Sequence, residues 1–165
     1  MQIHAARMED LPVIERVYAA ARAFMRASGN MHQWTDGYPQ RELLEDDIEK
    51  GQLFVAEDSG AIHGVFAFIL GKDPTYAYIE DGNWLNDKPY GTIHRIGSDG
   101  GVKGLLHQTL RFALGYTDEV RADTHADNRP MQHVLEKNGF VRCGIIYLEN
   151  GDPRIAYHFS KEARP

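Results

Sequence analysis

The sequence has a single cysteine, no long apolar run and less positive than negative charge. Cys143, being alone, excludes an internal disulfide, so stability must come from a packed core, and a reducing compartment suits the chain. No apolar run reaches the roughly 20 residues of a membrane span. The opening "MQIHAARMED" lacks the apolar centre of a signal peptide. A cytoplasmic protein without a membrane partner is expected. Lysine and arginine total 18 against 24 acidic residues, a formal net charge of −6. That balance argues against nucleic acid as partner and suits either a cationic substrate or plain solubility. The eight histidines never fall in a His-x-x-x-His spacing and no Cys-x-x-Cys occurs, so no metal site is expected. Repeats, low-complexity tracts and linkers are also missing. At 165 residues, one domain spanning 1–165 is the expectation.

What is present alternates between two periods. "MQIHAAR" suits a short edge strand. "EDLPVIERVYAAARAFMRASG" places Ile14, Val17, Tyr18, Ala21, Phe24 and Met25 at helical spacing, with Asp10 as N-cap, Pro12 in the first turn and Gly29 as stop. After the loop "NMHQWTDGYPQ" comes a helix, "RELLEDDIEK". The strands "QLFVAED" and "AIHGVFAFIL" are joined by a Ser59-Gly60 hairpin turn. "TYAYIED" reads as a third strand and "GTIHRIGS" as a fourth. From Gly101 the stripe Val102, Leu105, Leu106, Thr109, Leu110, Ala113 and Leu114 predicts a helix. "EVRADTH" is then a strand, Pro130 to Asn138 a helix, and "FVRCGIIYL" and "RIAYHFS" a final hairpin. Antiparallel pairs dominate, but the helix after Gly101 is a crossover that must leave strands 92–98 and 120–125 parallel.

Two segments carry chemistry. "GSDGGVKG", Gly97 to Gly104, ends a strand and opens a helix with four glycines in eight residues. Exposed backbone N–H groups at a helix start attract phosphate, and Lys103 can add a point charge. A phosphate cradle and a plain flexible turn both remain open. In "DTHADNRPMQHVLEKNGF", Asn128 stands at a strand-to-helix turn. It can cap the helix or hold a ligand at the carboxyl end of a parallel strand, and one amide can do both.

Together these segments resemble the GNAT superfamily of acyl-CoA-dependent N-acyltransferases. Asn128 to Phe140, Asn-x-x-Met-x-x-Val-Leu-Glu-Lys-x-Gly-Phe, closely follows that family's Asn-x-x-Ala-x-x-Leu-Tyr-Glu-Lys-x-Gly-Phe, and the likeness runs over essentially the whole chain. It implies an α+β fold: a mostly antiparallel twisted sheet with one central parallel pair and helices on both faces. It also implies acetyl-CoA in the gap between the parallel strands. Ile93, His94, Arg95 and Ile96 would then line the pantetheine arm. The amides of Val102, Lys103, Gly104, Leu105 and Leu106 would hold the pyrophosphate, and Asn128 the pantetheine or thioester. Two positions depart from the pattern. Leu106 replaces a common glycine, and Leu135 replaces the tyrosine usually proposed to protonate the leaving thiolate.

The expected activity is direct transfer of an acetyl group to a primary amine of a small molecule or peptide. Glu80 and His94 are the candidate bases. Glu80 reads equally as a plain exposed acid and His94 as a structural histidine; Asp123 and His125 share a face as a base–orienter pair or simply a polar pair. Trp34, Tyr38, Asp81 and Trp84 are expected at the acceptor entrance, with Asp87 attracting a cation, although the same aromatic loops suit core cover or a homodimer interface. A non-catalytic acyl-CoA-binding module and a protein-interaction domain are the competing readings.

Overall fold

The computed structural model describes residues 1–162. Seven strands form one sheet: β1 (Gln2–Ala5), β2 (Leu53–Asp58), β3 (Ala61–Leu70), β4 (Gly91–Ser98), β5 (Glu119–Thr124), β6 (Val141–Tyr147) and β7 (Pro153–Ser160), in the order β1-β2-β3-β4-β5-β7-β6. Every neighbouring pair is antiparallel except β4 and β5, as the crossover requires. Four helices cover it: α1 (Leu11–Ala27), α2 (Arg41–Glu49), α3 (Leu105–Ala113) and α4 (Arg129–Lys137). No helix among the described residues is long and apolar enough to cross a membrane.

The two faces are closed by different helices. Ile14, Val17 and Tyr18 of α1 and Leu44 of α2 bury themselves against Val55, Val65 and Ala67. On the opposite face, Leu106, Leu110 and Ala113 of α3 and Leu135 of α4 pack on Phe66, Phe68, Ile93, Val120 and Ala122. Period-two alternation along β3 sends Val65 and Ala67 to one layer and Phe66 and Phe68 to the other. Cys143 is buried, and burial pushes its thiol pKa up.

Four expectations need correction. "TYAYIED" is not a strand. Asp73 accepts a hydrogen bond from the Thr75 amide at 2.9 Å and starts a 3-10 turn, Pro74–Tyr76. This buries Tyr76 against Trp84 and Tyr90, and only Glu80 bridges to the sheet, through Ile145. Asp10 does not cap α1 with its side chain, because its carboxylate turns back to the Arg7 amide at 2.9 Å. Phe24 is exposed, lying off the buried stripe of α1. Finally, α3 begins at Leu105 rather than near Gly101, since Gly100 and Gly104 hold positive φ angles of 87° and 70° that a helix cannot continue through.

The parallel pair is short. β4 and β5 match only at Gly91–Val120 and Thr92–Arg121, after which the strands part. Three residues further on, β4 carries a bulge. Val65 faces Gly97 and Ala67 faces His94, so Arg95 and Ile96 together oppose Phe66. Arg95 takes a left-handed conformation, φ 51°. Such a bulge bends its strand and sharpens the local twist, which carries β4 away from β5. A left-handed non-glycine residue costs about 1–3 kcal/mol. Three hydrogen bonds hold it in place: the guanidinium forks onto Asp47 of α2 at 3.0 Å and 3.0 Å, and the Arg95 carbonyl accepts the Tyr18 hydroxyl at 2.6 Å.

Candidate active site

Where β4 and β5 separate, a cleft of about 800 Å³ opens through the sheet. On the α3–α4 side its wall is Ile93, Ile96, Leu106, Ala122, Met131 and Leu135. On the other side it is polar, formed by the α1–α2 loop, the turn at Asp73 and the β6–β7 connection.

The bulge sets the chemistry of the polar side. Strict alternation would send His94 and Arg95 to opposite faces, as their adjacency in sequence suggests. The extra residue instead lets both point toward the α1–α2 side, where His94 meets Asp73 and Arg95 meets Asp47. His94 Nε2 lies 2.9 Å from Asp73 Oδ2. Burial would raise the Asp73 carboxyl, but hydrogen bonds from His94 and from the Thr75 hydroxyl and amide outweigh it and hold the pKa at about 2. An ionised carboxylate only accepts, so Asp73 places the proton of the neutral imidazole on Nε2 and leaves Nδ1 basic.

Asn128 occupies the turn into α4. Its Oδ1 accepts the Met131 amide at 3.2 Å, an N-cap, and its Nδ2 donates to Gln33 Oε1 at 3.0 Å. Gln33 in turn accepts from Asn30 Nδ2 at 2.9 Å. The amide thus clamps the α1–α2 loop to the head of α4 at the cleft wall, with one Nδ2 hydrogen left over.

At the start of α3 the loop sorts its amides. Those of Gly100 and Gly101 bond Ser98 Oγ and Asp99 Oδ1 at 3.0 Å and 2.8 Å. The amides of Val102, Lys103, Gly104, Leu105, Leu106 and His107 have no hydrogen-bond partner among the described residues, and no side chain caps the helix. Unpaired N–H groups at the positive end of a helix form an anion site.

The residues picked from the sequence divide cleanly. Ile93, His94, Arg95, Ile96, Leu106, Asn128, Trp34 and Tyr38 line the cleft. Val102, Lys103, Gly104 and Leu105 lie at the α3 head beyond it. Glu80, Asp81 and Trp84 are not among its walls. Glu80 accepts from the hydroxyls of Tyr78 and Tyr147 at the surface. Trp84 packs in a core cluster, its indole donating to the Tyr76 carbonyl at 2.9 Å and its face covering Arg121 at 4.1 Å. Asp123 and His125 do not pair: Asp123 takes the Tyr76 hydroxyl at 2.6 Å, and His125 accepts the Asp127 amide at 2.9 Å. Sequence reasoning missed Asp73, Gln33 and Arg154. Asp73-Pro74 was a legible turn signal; nothing local marks the other two.

Comparison with solved structures gives high likeness over nearly the full length. An acetyltransferase of the GNAT family from Streptococcus agalactiae is 35% identical, with 97% of this chain and 95% of that one covered and a TM-score of 0.86. The fold alone is shared with a putative acetyltransferase from Staphylococcus aureus, at 24% identity, coverage of 98% and 99% and TM-score 0.69. A GNAT-family acetyltransferase from Listeria monocytogenes shares it likewise, at 21% identity, coverage of 96% and 94% and TM-score 0.69. No protein-family model matches the chain, and no curated protein sequence does.

Proposed function

The chain belongs to the GNAT family of acetyltransferases, and from that premise we propose that it is an N-acetyltransferase carrying an acetyl group from acetyl-CoA directly to a primary amine. The observation that carries this reading is the parting of β4 and β5 after two residue pairs, with the cleft lying in the gap. The groups around it suit a phosphorylated thioester. The unpaired amides from Val102 to His107 match a pyrophosphate, with Lys103 beside them. The freed edge of β4 from Ile93 to Ile96 offers main-chain groups to a pantetheine arm, and Asn128 keeps one N–H for the same arm.

Acetyl-CoA supplies the activated acyl group. Main-chain N–H groups on β4 polarise its carbonyl. His94 Nδ1 takes the proton that the acceptor ammonium must lose, while Asp73 holds the ring and stabilises the imidazolium. The amine nitrogen then bonds the acyl carbon as the carbon–sulfur bond breaks. Leu135 is buried at the cleft wall and offers no acid, so the second proton, shed by the nitrogen as the amide forms, passes through water to the departing thiolate. Holding amine and thioester together supplies the remainder of the barrier reduction. His94 is preferred to Glu80 as base because it faces the cleft. Trp34 and Tyr38 form part of the acceptor wall.

Leu135 favours a second reading, a module that binds acyl-CoA without turning it over. Calorimetry with CoA, followed by thiol release against an amine panel, separates the two. Binding with turnover supports the transferase; binding without turnover supports the module. Absence of binding defeats both.

A further inference from the structure

Arg154, the second residue of β7, lies on the polar side of the cleft, and its side chain is an anomaly. The residue is 7% exposed, yet its guanidinium makes one hydrogen bond, from Nη1 to the carbonyl of the adjacent Pro153 at 2.8 Å. No carboxylate lies within ion-pair distance among the described residues: Asp123 is occupied by Tyr76, and Asp152 is turned to Asn150. Two other arginines, the half-buried Arg95 and the buried Arg121, are employed differently. Arg95 forks onto Asp47, and Arg121 lies between the rings of Trp84 and Tyr90 at 4.1 Å and 3.9 Å while donating to the Asn86 carbonyl. Arg121 also has a sealed, unpaired Nε, whereas no nitrogen of Arg154 is sealed without a partner. Its unused donors are therefore not sealed off, and the residue itself lines the cleft.

A buried guanidinium with most of its fork unspent is costly unless something meets it. Burial pulls its pKa down, and the carboxylates of Asp123 and Asp152 recover only part of that. The planar fork matches the two oxygens of a carboxylate. The same cleft is lined by His94 with Asp73, and by Asp123, and the two carboxylates favour an ammonium.

We infer that the acceptor is a small amine that also carries a carboxylate, anchored by Arg154 so that its amino group reaches His94. This rests on the acetyltransferase reading and narrows it. Such a requirement disfavours polyamines and internal lysines of proteins, which have no carboxylate near the reacting nitrogen.

The test is a thiol-release assay on matched sets: common amino acids and other amino-carboxylates, their carboxamides, the corresponding decarboxylated amines, and aminophosphonates. CoA affinity is measured separately by calorimetry. Turnover confined to the carboxylates, or shared only with the phosphonates, is the expected result, the two arms telling a planar from a tetrahedral oxyanion. Arg154→Gln should raise KM for the accepted acids about ten- to a hundredfold and leave CoA affinity unchanged. Arg154→Lys keeps the charge without the fork and should recover part of the loss. Amides and decarboxylated amines turned over as well as the acids would overturn the inference. An unaltered KM in Arg154→Gln, or no turnover of any amino-carboxylate, would do so as well. CoA binding that persists in those cases leaves the donor site standing; its absence removes the underlying reading.

Discussion

Asp73 Oδ2 sits 2.9 Å from His94 Nε2, joining the turn after β3 to the bulged strand β4 at the edge of the cleft. The contact fixes which ring nitrogen is basic, so it bears on rate and on stability separately.

For rate, His94→Gln should lower kcat by about 10²–10⁴-fold. Asp73→Asn should lower kcat less, by roughly tenfold, because it disturbs the orientation of the base but keeps the base. Glu80→Gln, away from the cleft walls, should stay within about twofold of the parent. A loss in Glu80→Gln that matches His94→Gln would move the base to Glu80.

For stability, the sign follows from a depressed carboxyl. Asp73 falls from 3.8 to about 2 in the folded chain, so the unfolded chain binds its proton first as the pH drops. The contribution, about 2 kcal/mol, is present above pH 4 and lost as the pH falls through 4 toward 2. Denaturant midpoints of the parent and Asp73→Asn should differ at pH 7 and converge near pH 2. A gap that stays constant with pH would contradict the assignment.

Asn128 has two structural bonds, so it cannot be only a ligand group. Asn128→Ala should cost about 1–2 kcal/mol by losing the cap to Met131 and the clamp on Gln33. Asn128→Asp retains the capping oxygen and loses the donor. Comparing CoA affinity in the two, with melting temperature as control, isolates the donor: weaker binding in Asn128→Asp with the cap intact is the expected result.

The bulge depends on Asp47. Asp47→Ala leaves the Arg95 guanidinium buried without its carboxylate and should cost about 3–5 kcal/mol in urea denaturation. CoA affinity should fall with it, since the bend in β4 is what opens the gap. Loss of stability with unchanged affinity would show that the gap does not need the bulge.

Much of the architecture is legible in the residues themselves. The limits of β3 and β4 follow from alternation between Gly/Ser punctuation, and the crossover forces β4 and β5 to be parallel. What escapes is whatever depends on contacts distant in sequence. "TYAYIED" alternates like a strand, but Asp73 caps a turn and Tyr76 is drawn into an aromatic cluster with Trp84 and Tyr90. The bulge is invisible locally, because nothing in "TIHRI" announces that Arg95 will be held left-handed by Asp47, 48 positions earlier. That one residue decides where His94 and Arg95 point. Asn128 was readable as cap or ligand group; its bond to Gln33, 95 positions away, could not be foreseen. Arg154 is illegible for the same reason, since an arginine in a hairpin strand gives no sign that its partners are missing.

Acetyl transfer as proposed requires the opening between β4 and β5 to receive the thiol carrier. A crystal structure of the CoA complex tests it most directly. The pantetheine chain should lie along Ile93–Ile96, with the pyrophosphate on the amides from Val102 to His107. CoA bound elsewhere, with the two strands closed over an empty cleft, would contradict it.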